Sequence, residues 1–247
     1  MFFPHLLKIR WSDLVLEIGP GAYPFWRSDC LADKFDNQSD VDLAQFGGAQ
    51  LRTKGKPLFR ILNGRLPFRD KAFDYIICSH VFEHVPIEEL LILSSEIMRV
   101  AKRAYLEFPR PVYDLIYNFD VHLNLLDIVD GSVIVLEKSK TELNQLHKFQ
   151  EYSRQLRQND FFSVDKYFAG VVAVGQEFHN SISLKVARDE DEFWSQVLSN
   201  PHYNSEPGLP WKVYNKLHGK RILKALVGEK TREYFANRVL QSEMGPR

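Results

Sequence analysis

Glu17-Ile18-Gly19-Pro20-Gly21 decides the fold of this chain. It closes the apolar run that starts at Asp13, so a buried strand ends on two glycines in a tight turn. Glycines at such a point let a ligand come close to the backbone, at the strand ends where open α/β sheets bind their ligands. Downstream, Cys30-Leu31-Ala32-Asp33 reads as a second strand closing on an acid. Leu58 to Leu62 reads as a third, stopped by Asn63-Gly64, and Phe73 to Cys78 as a fourth. Glu83 to Val100 then carries Leu90, Leu91, Leu93, Ile97 and Val100 at helical spacing, and Ala104 to Phe108 returns as a fifth strand before Pro109. Strands alternating with crossovers predict a doubly wound, Rossmann-like α/β sheet.

After Pro111 the pattern changes. Asp130-Gly131 separates the apolar runs Leu123 to Val129 and Val133 to Leu136, which signals an inserted β-hairpin within residues 112–138, expected near the active-site edge as a lid. Thr141 to Leu156 reads as a polar amphipathic helix. Phe168 to Val174 and Ile182 to Val186 suit a terminal antiparallel strand pair that would finish the sheet. Beyond residue 190 the chain predicts a helix around Phe193 to Leu198, a break at Pro207-Gly208-Leu209-Pro210, and a basic segment of Lys212, Lys216, His218, Lys220, Arg221 and Lys224 interleaved with Trp211 and Tyr214. The division expected is a binding domain over residues 1–190 and a helical extension over 191–247.

The composition is that of an ordinary globular chain: 247 residues, 45% hydrophobic, with 32 basic side chains balanced by 32 acidic ones. The charge balance speaks against a protein that holds nucleic acid through a whole-surface field. Cys30 and Cys78 cannot make a disulfide framework and are expected to be buried and reduced. The apolar start is too short for a signal-peptide core, and no stretch approaches the roughly 18 apolar residues of a membrane span. Asn37-Gln38-Ser39 is a glycosylation sequon without a secreted context. The expectation is a cytoplasmic protein without a transmembrane segment.

The chemistry of the first turn is selective. A dinucleotide fingerprint needs a third small residue at position 24, which is Pro24, and Glu17 sets a carboxylate where a pyrophosphate would be repelled. That disfavours a nicotinamide oxidoreductase. S-adenosylmethionine carries a sulfonium and an ammonium group and no phosphate, which suits the acid, and Asp33 stands where it can accept hydrogen bonds from ribose hydroxyls, with Asp36 as the fallback. The bland alternative is that Glu17 caps its own loop.

Four motifs in order, Val15 to Pro24, Leu66-Pro67-Phe68-Arg69-Asp70-Lys71-Ala72-Phe73-Asp74, Ser79-His80-Val81-Phe82-Glu83-His84-Val85 and Glu96-Ile97-Met98-Arg99-Val100, resemble those of class I S-adenosylmethionine-dependent methyltransferases of the type 11 kind. The resemblance covers roughly residues 12 to 110. It implies a seven-stranded sheet, mostly parallel with a terminal antiparallel strand, and S-adenosylmethionine as cofactor. It also implies that Glu17, Gly19, Pro20 and Gly21 meet the methionyl part, that Asp33 holds the ribose, and that Ser79 lines the pocket. Relatives often place an aspartate before Leu-Pro-Phe to bind the adenine amino group; this chain has Asn63-Gly64-Arg65, so Asn63 is the substitute. Val100-Ala101-Lys102-Arg103 replaces the usual Lys-Pro-Gly-Gly turn. Tyr105 to Pro109 with His122-Leu123-Asn124 resembles a bacterial subgroup associated with surface-polysaccharide genes, which implies a sugar-type acceptor.

Methyl transfer is an in-line displacement, so a base is needed only for a hydroxyl or a protonated amine. The candidates are His80 after the fourth strand, His122 in the insertion and Tyr113 after the fifth strand, with Tyr117 beside it. His84 is expected to be structural. His80-Val81-Phe82-Glu83-His84 also fits H-x-x-E-H, a zinc-protease pattern that needs His80 within a helix, whereas the strand end puts it in a turn; no metal is expected. Ser79-His80-Val81-Phe82 lacks the Asn/Asp-Pro-Pro-aromatic loop of nucleobase amino methylases, so no DNA substrate is expected. No Walker sequence is present. The function expected is methyl transfer from S-adenosylmethionine to a small-molecule or glycan-precursor acceptor, at oxygen; the alternative is a non-catalytic cofactor-binding or interaction protein with the same fold. The sequence leaves the acceptor unnamed and a homodimer open, and the basic tail reads as a solvated helix face.

Overall fold

The computed structural model describes residues 3–34, 51–158 and 169–200. Asp36 and the basic cluster from Lys212 to Lys224 lie outside the described residues. Five strands form in the expected order: β1 (Val15–Ile18), β2 (Cys30–Asp33), β3 (Leu58–Arg60), β4 (Phe73–Ser79) and β5 (Ala101–Pro109). β1 is buried along its whole length, as a central parallel strand covered on both faces must be. The sheet runs β3-β2-β1-β4-β5-β8, where β8 (Ala173–His179) pairs antiparallel with β5 from Arg103↔His179 to Pro109↔Ala173 and the other pairings are parallel. The chain reverses direction of addition at β1 and β4, so the carboxyl ends of β1, β2 and β4 open onto one crevice.

Helix α1 (Ile87–Val100) packs on this sheet through Leu90, Leu93, Ile97 and Val100, while Leu91 points to solvent. It starts later than the apolar spacing suggests, because Phe82–His84 forms a separate 3-10 turn and Pro86 fixes the entry. Within α1, Arg99 grips Glu96 with Nε and Nη2 at 2.6 and 2.7 Å and donates to the carbonyls of Phe68 and Leu66, while Leu66 N donates to Glu96 at 2.9 Å. The Leu-Pro-Phe and Glu-Ile-Met-Arg-Val motifs are thus two halves of one clamp.

Helix α2 (Pro111–Tyr117) begins with proline in its first turn and ends at Asn118, in the left-handed region at φ +46°. The hairpin is β6 (Asn124–Val129) with β7 (Ser132–Glu137), joined by Asp130-Gly131 at φ +49° and +74°, both positive as a type I′ turn requires. Two expectations need correction here. The helix expected from Thr141 is instead one 3-10 turn, Leu143–Leu146, followed by α3 (His147–Gln158), and Ala169–Val172 is a helical turn, α4, ahead of β8. The strand expected at Ile182 to Val186 does not pair with β8: it is β9 (Leu184–Val186), parallel to β7 in a second, three-stranded sheet β6-β7-β9. Among the described residues the main sheet therefore has six strands, with the antiparallel strand at its edge, and the seventh expected there belongs to the hairpin.

The hairpin is buried on both faces. Leu126, Ile128, Val133 and Val135 join the main core with Phe108 and Phe178, while Leu125, Val129, Ile134 and Leu136 pack with Phe193 and Val197 of α5 (Glu190–Ser199). It forms an internal layer, and α5 packs onto it. Arg110, just after β5, reaches Asp127 on β6 with Nη1 at 2.8 and 3.1 Å from the two carboxylate oxygens, both groups buried. No disulfide joins the cysteines; Cys78 is buried and Cys30 half-buried. Among the described residues no helix is long and apolar enough to cross a membrane.

Candidate active site

The turn after β1 is held by its own side chains. Phe25 N and Ser28 Oγ both donate to Glu17 Oε2, at 2.8 and 2.7 Å, so the acid does cap its loop. Burial pushes the Glu17 carboxyl up, against the lowering effect of those two bonds. Gly19 and Gly21 sit at φ +66° and +54°, conformations open to glycine. Gly19 has a second reason: a Cβ there would lie 2.4 Å from Val81 Cγ2, in the turn that follows β4. The chain reaches β2 without an intervening helix, so no helix N-terminus faces the crevice at this turn.

Above these strand ends lies a cavity of about 600 Å³, within the range of small-molecule sites. Of the expected residues, Glu17, Gly19, Pro20, Gly21, Asp33, Ser79, His80 and Tyr113 line it. Asp33 closes β2 with a buried side chain. Asn63 does not line it: at φ +50° it is exposed, and its neighbour Gly64 takes the wall position. Gly64 is pinned there because a Cβ would meet Glu89 O at 2.4 Å.

His80 follows β4 at φ +57°, outside any helix, with its N–H donating to Glu107 O at 2.8 Å. Its ring lies between two buried carboxylates, Nδ1 3.1 Å from Glu83 Oε1 and Nε2 3.4 Å from Glu107 Oε1. Burial alone would lower its pKa, but the bonds to Glu107 and Glu83 and their charges outweigh it and raise it to about 9. At neutral pH His80 is an imidazolium, a donor rather than the proton acceptor its position suggested. Glu83, for its part, is driven up by burial and more strongly down by His80 and the neighbouring histidines.

Glu107 is the residue that sequence reasoning missed. It lies 1% exposed on β5 and accepts from Ser79 Oγ at 2.8 Å, Tyr105 Oη at 2.8 Å and Phe3 N at 2.9 Å besides meeting His80. An acid inside the otherwise apolar run Tyr105-Leu106-Glu107-Phe108 was the available signal. Arg157 of α3 also lines the cavity, with its guanidinium 5.3 Å from the Phe119 ring and 5.7 Å from that of Tyr117, and no local pattern announced it.

His122 does not line this cavity. It stands behind Tyr113, ring centroids 6.3 Å apart, is buried, and holds Asp114 Oδ2 at 2.8 Å through Nδ1; it lines a second cavity of about 360 Å³. His84 lines the first cavity, and burial lowers its pKa against the raising effect of Glu83.

Residues 29–104 match the family described as a methyltransferase domain. That segment lies within the doubly wound sheet described above, and the match covers just under a third of the chain. The match runs from just before β2 into β5 and leaves the hairpin and α5 outside. No curated protein matches the chain. Among solved structures, YcgJ from Bacillus subtilis is 16% identical over 72% of this chain and 94% of its own, at a TM-score of 0.36. An S-adenosylmethionine-dependent methyltransferase from Mesorhizobium loti is 16% identical over 53% of this chain and 59% of its own, at a TM-score of 0.33. The first solved structures it matches are spanned over about half of their length. Likenesses this distant say nothing of the acceptor.

Proposed function

We propose that this protein binds S-adenosylmethionine in the larger cavity and transfers its methyl group to oxygen on a small-molecule or glycan-type acceptor. The observation that carries the reading is the joint placement of the positive-φ glycine turn, Asp33 and Ser79 on one cavity at the carboxyl ends of β1, β2 and β4. The donor set fits the cofactor: a buried carboxyl at the end of β2 suits vicinal hydroxyls, and the wall offers Glu17 and backbone rather than a phosphate cradle.

S-adenosylmethionine supplies a methyl group on a good leaving group, so the protein's part is to bind, orient and exclude water. Tyr113 presents an aromatic wall to an acceptor, and Arg157 and Lys34 add positive charge to the cavity. His80, with both ring nitrogens held by Glu83 and Glu107, contributes positive charge to the cavity wall rather than a free hydrogen bond to the acceptor. It is a poor base at neutral pH.

The test is calorimetric titration of the chain with S-adenosylmethionine and with its demethylated product. Both are expected to bind at one site, and Asp33→Ala is expected to weaken them about 10- to 100-fold, as the loss of hydrogen bonds to a carboxylate does. Absence of binding to the folded wild type overturns the reading; binding with no turnover on any hydroxylated acceptor returns the non-catalytic alternative.

A further inference from the structure

We propose that Glu83, His84 and His122 form a binding site for a divalent transition-metal ion of the zinc type, in the wall between the two cavities. One nitrogen of each histidine and one oxygen of Glu83 all lie within 4.8 Å of one another. The two imidazoles meet edge to face, centroids 5.0 Å apart at 73°. His84 faces the larger cavity and His122 the smaller.

Each ligand is already prepared by a neighbour. His84 Nδ1 donates to Val121 O at 2.8 Å, which leaves Nε2 as the ring's free lone pair. His122 Nδ1 donates to Asp114 Oδ2 at 2.8 Å, which again leaves Nε2, and Lys138 Nζ holds the other oxygen of Asp114 at 3.1 Å. A carbonyl behind one histidine and a carboxylate behind the other is the arrangement by which metal sites fix the tautomer and aim of their imidazoles. Glu83 is 1% exposed, and its Oε2 is buried with no hydrogen-bond donor. Leaving a carboxylate oxygen so costs free energy, and a cation removes that cost.

The convergence is built by the fold. Leu123 N donates to Glu83 O, and Asn124 Nδ2 donates to the carbonyls of Phe82 and Val85 at 2.9 and 2.7 Å, so the start of β6 is fastened onto the turn that carries Glu83 and His84. His80, the other histidine of the H-x-x-E-H pattern, is engaged by Glu107 and Glu83 Oε1, and His122 takes the place it would have had. Two imidazoles and one carboxylate suit zinc and its neighbours in the first transition row rather than magnesium or calcium, and three protein ligands leave a position for water or a substrate oxygen. A tetrahedral zinc site places ligand atoms about 3.3 Å apart, so binding draws the three inward by side-chain rotation. The proposal does not rest on methyl transfer.

The experiment titrates the untagged full chain, stripped of metal by a chelator, with Zn²⁺, Co²⁺ and Mg²⁺. The expected result is one Zn²⁺ per chain, a strong visible Co²⁺ absorption of an ion with fewer than six ligands, and no competition from Mg²⁺. His84→Asn and His122→Asn are each expected to weaken Zn²⁺ about 100-fold or more. Asp114→Asn, at a positioning residue, is expected to weaken it about 10- to 100-fold with the stoichiometry kept. His179→Asn, at an exposed strand end on β8, leaves it unchanged. Failure of the folded wild type to take up one Zn²⁺, or full affinity in both histidine variants, overturns the proposal. Should those variants not fold, the wild-type Co²⁺ spectrum decides, since the weak bands of the hydrated ion alone also overturn it. Cofactor titration of the same chain is a separate measurement, so failure here and failure of the methyltransferase reading are told apart.

Discussion

Gly19 carries two constraints at once. Its φ of +66° disfavours any side chain, and its missing Cβ makes room for Val81 of the turn after β4. Gly19→Ala is expected to destabilise the fold by about 2–4 kcal/mol, the sum of the left-handed penalty and a forced contact. In a Val81→Ala background the cost should fall to about 1–2 kcal/mol, the backbone part alone; equal costs in both backgrounds, read by urea denaturation, would show that the contact contributes nothing. The glycine pattern was plain in the sequence, but the Val81 contact was not, since it joins residues from two different strand ends. Glu17 is the reverse case. The choice between holding a ligand and capping a loop was open from the residues, and the bonds from Phe25 and Ser28 show the capping, while the side chain still lines the cavity.

At the scale of elements, α1 shows a motif whose meaning is mechanical. The Glu96–Arg99 pair ties the Leu66-Pro67-Phe68 segment to the helix, and through it the wall around Gly64. The bonds from Arg99, ahead of the opposing effect of burial, hold the Glu96 carboxyl below its ordinary value. A carboxyl depressed in the folded state contributes stability that is present above its unfolded pKa, about 4.3, and is lost as pH falls through the lower folded value. Glu96→Gln is therefore expected to lower the urea midpoint at pH 7 and to approach the wild type below pH 4. A difference that stayed constant from pH 7 to pH 3 would mean the charge is irrelevant. The existence of α1 was legible from its apolar spacing; its start at Ile87 was not, because Phe82–His84 forms a tighter turn with its own buried Phe82 and Glu83.

At the scale of the whole molecule, the hairpin joins the main sheet to α5. Arg110–Asp127 links β5 to β6 in the interior, and Phe193 seals the outer face with no exposed surface. Asp127→Ala, which removes a buried carboxylate from the Arg110 guanidinium, is expected to cost about 3–5 kcal/mol. Phe193→Ala is expected to cost about 3–5 kcal/mol by leaving a cavity between α5 and the hairpin. If α5 were an independent appendage, the Phe193 variant would instead leave the main unfolding transition where it is, a distinction calorimetry reads directly. β9 joins the hairpin sheet along the edge of β7, reached from the end of β8 by way of Asn180 at φ +64°.

The order of β1 to β5, the glycine turn, Asp33 at a strand end and the hairpin's Asp130-Gly131 turn were written in the sequence, because each depends on residues adjacent along the chain: apolar period, turn chemistry and the φ that glycine permits. The charge on His80, the removal of His122 from the main cavity, the exposure of Asn63 and the meeting of Glu83, His84 and His122 were decided only by the tertiary structure. Those properties depend on burial and on partners from distant segments, Glu107 on β5 and Asp114 on α2, and the pattern of one segment cannot specify which side chain another brings to meet it.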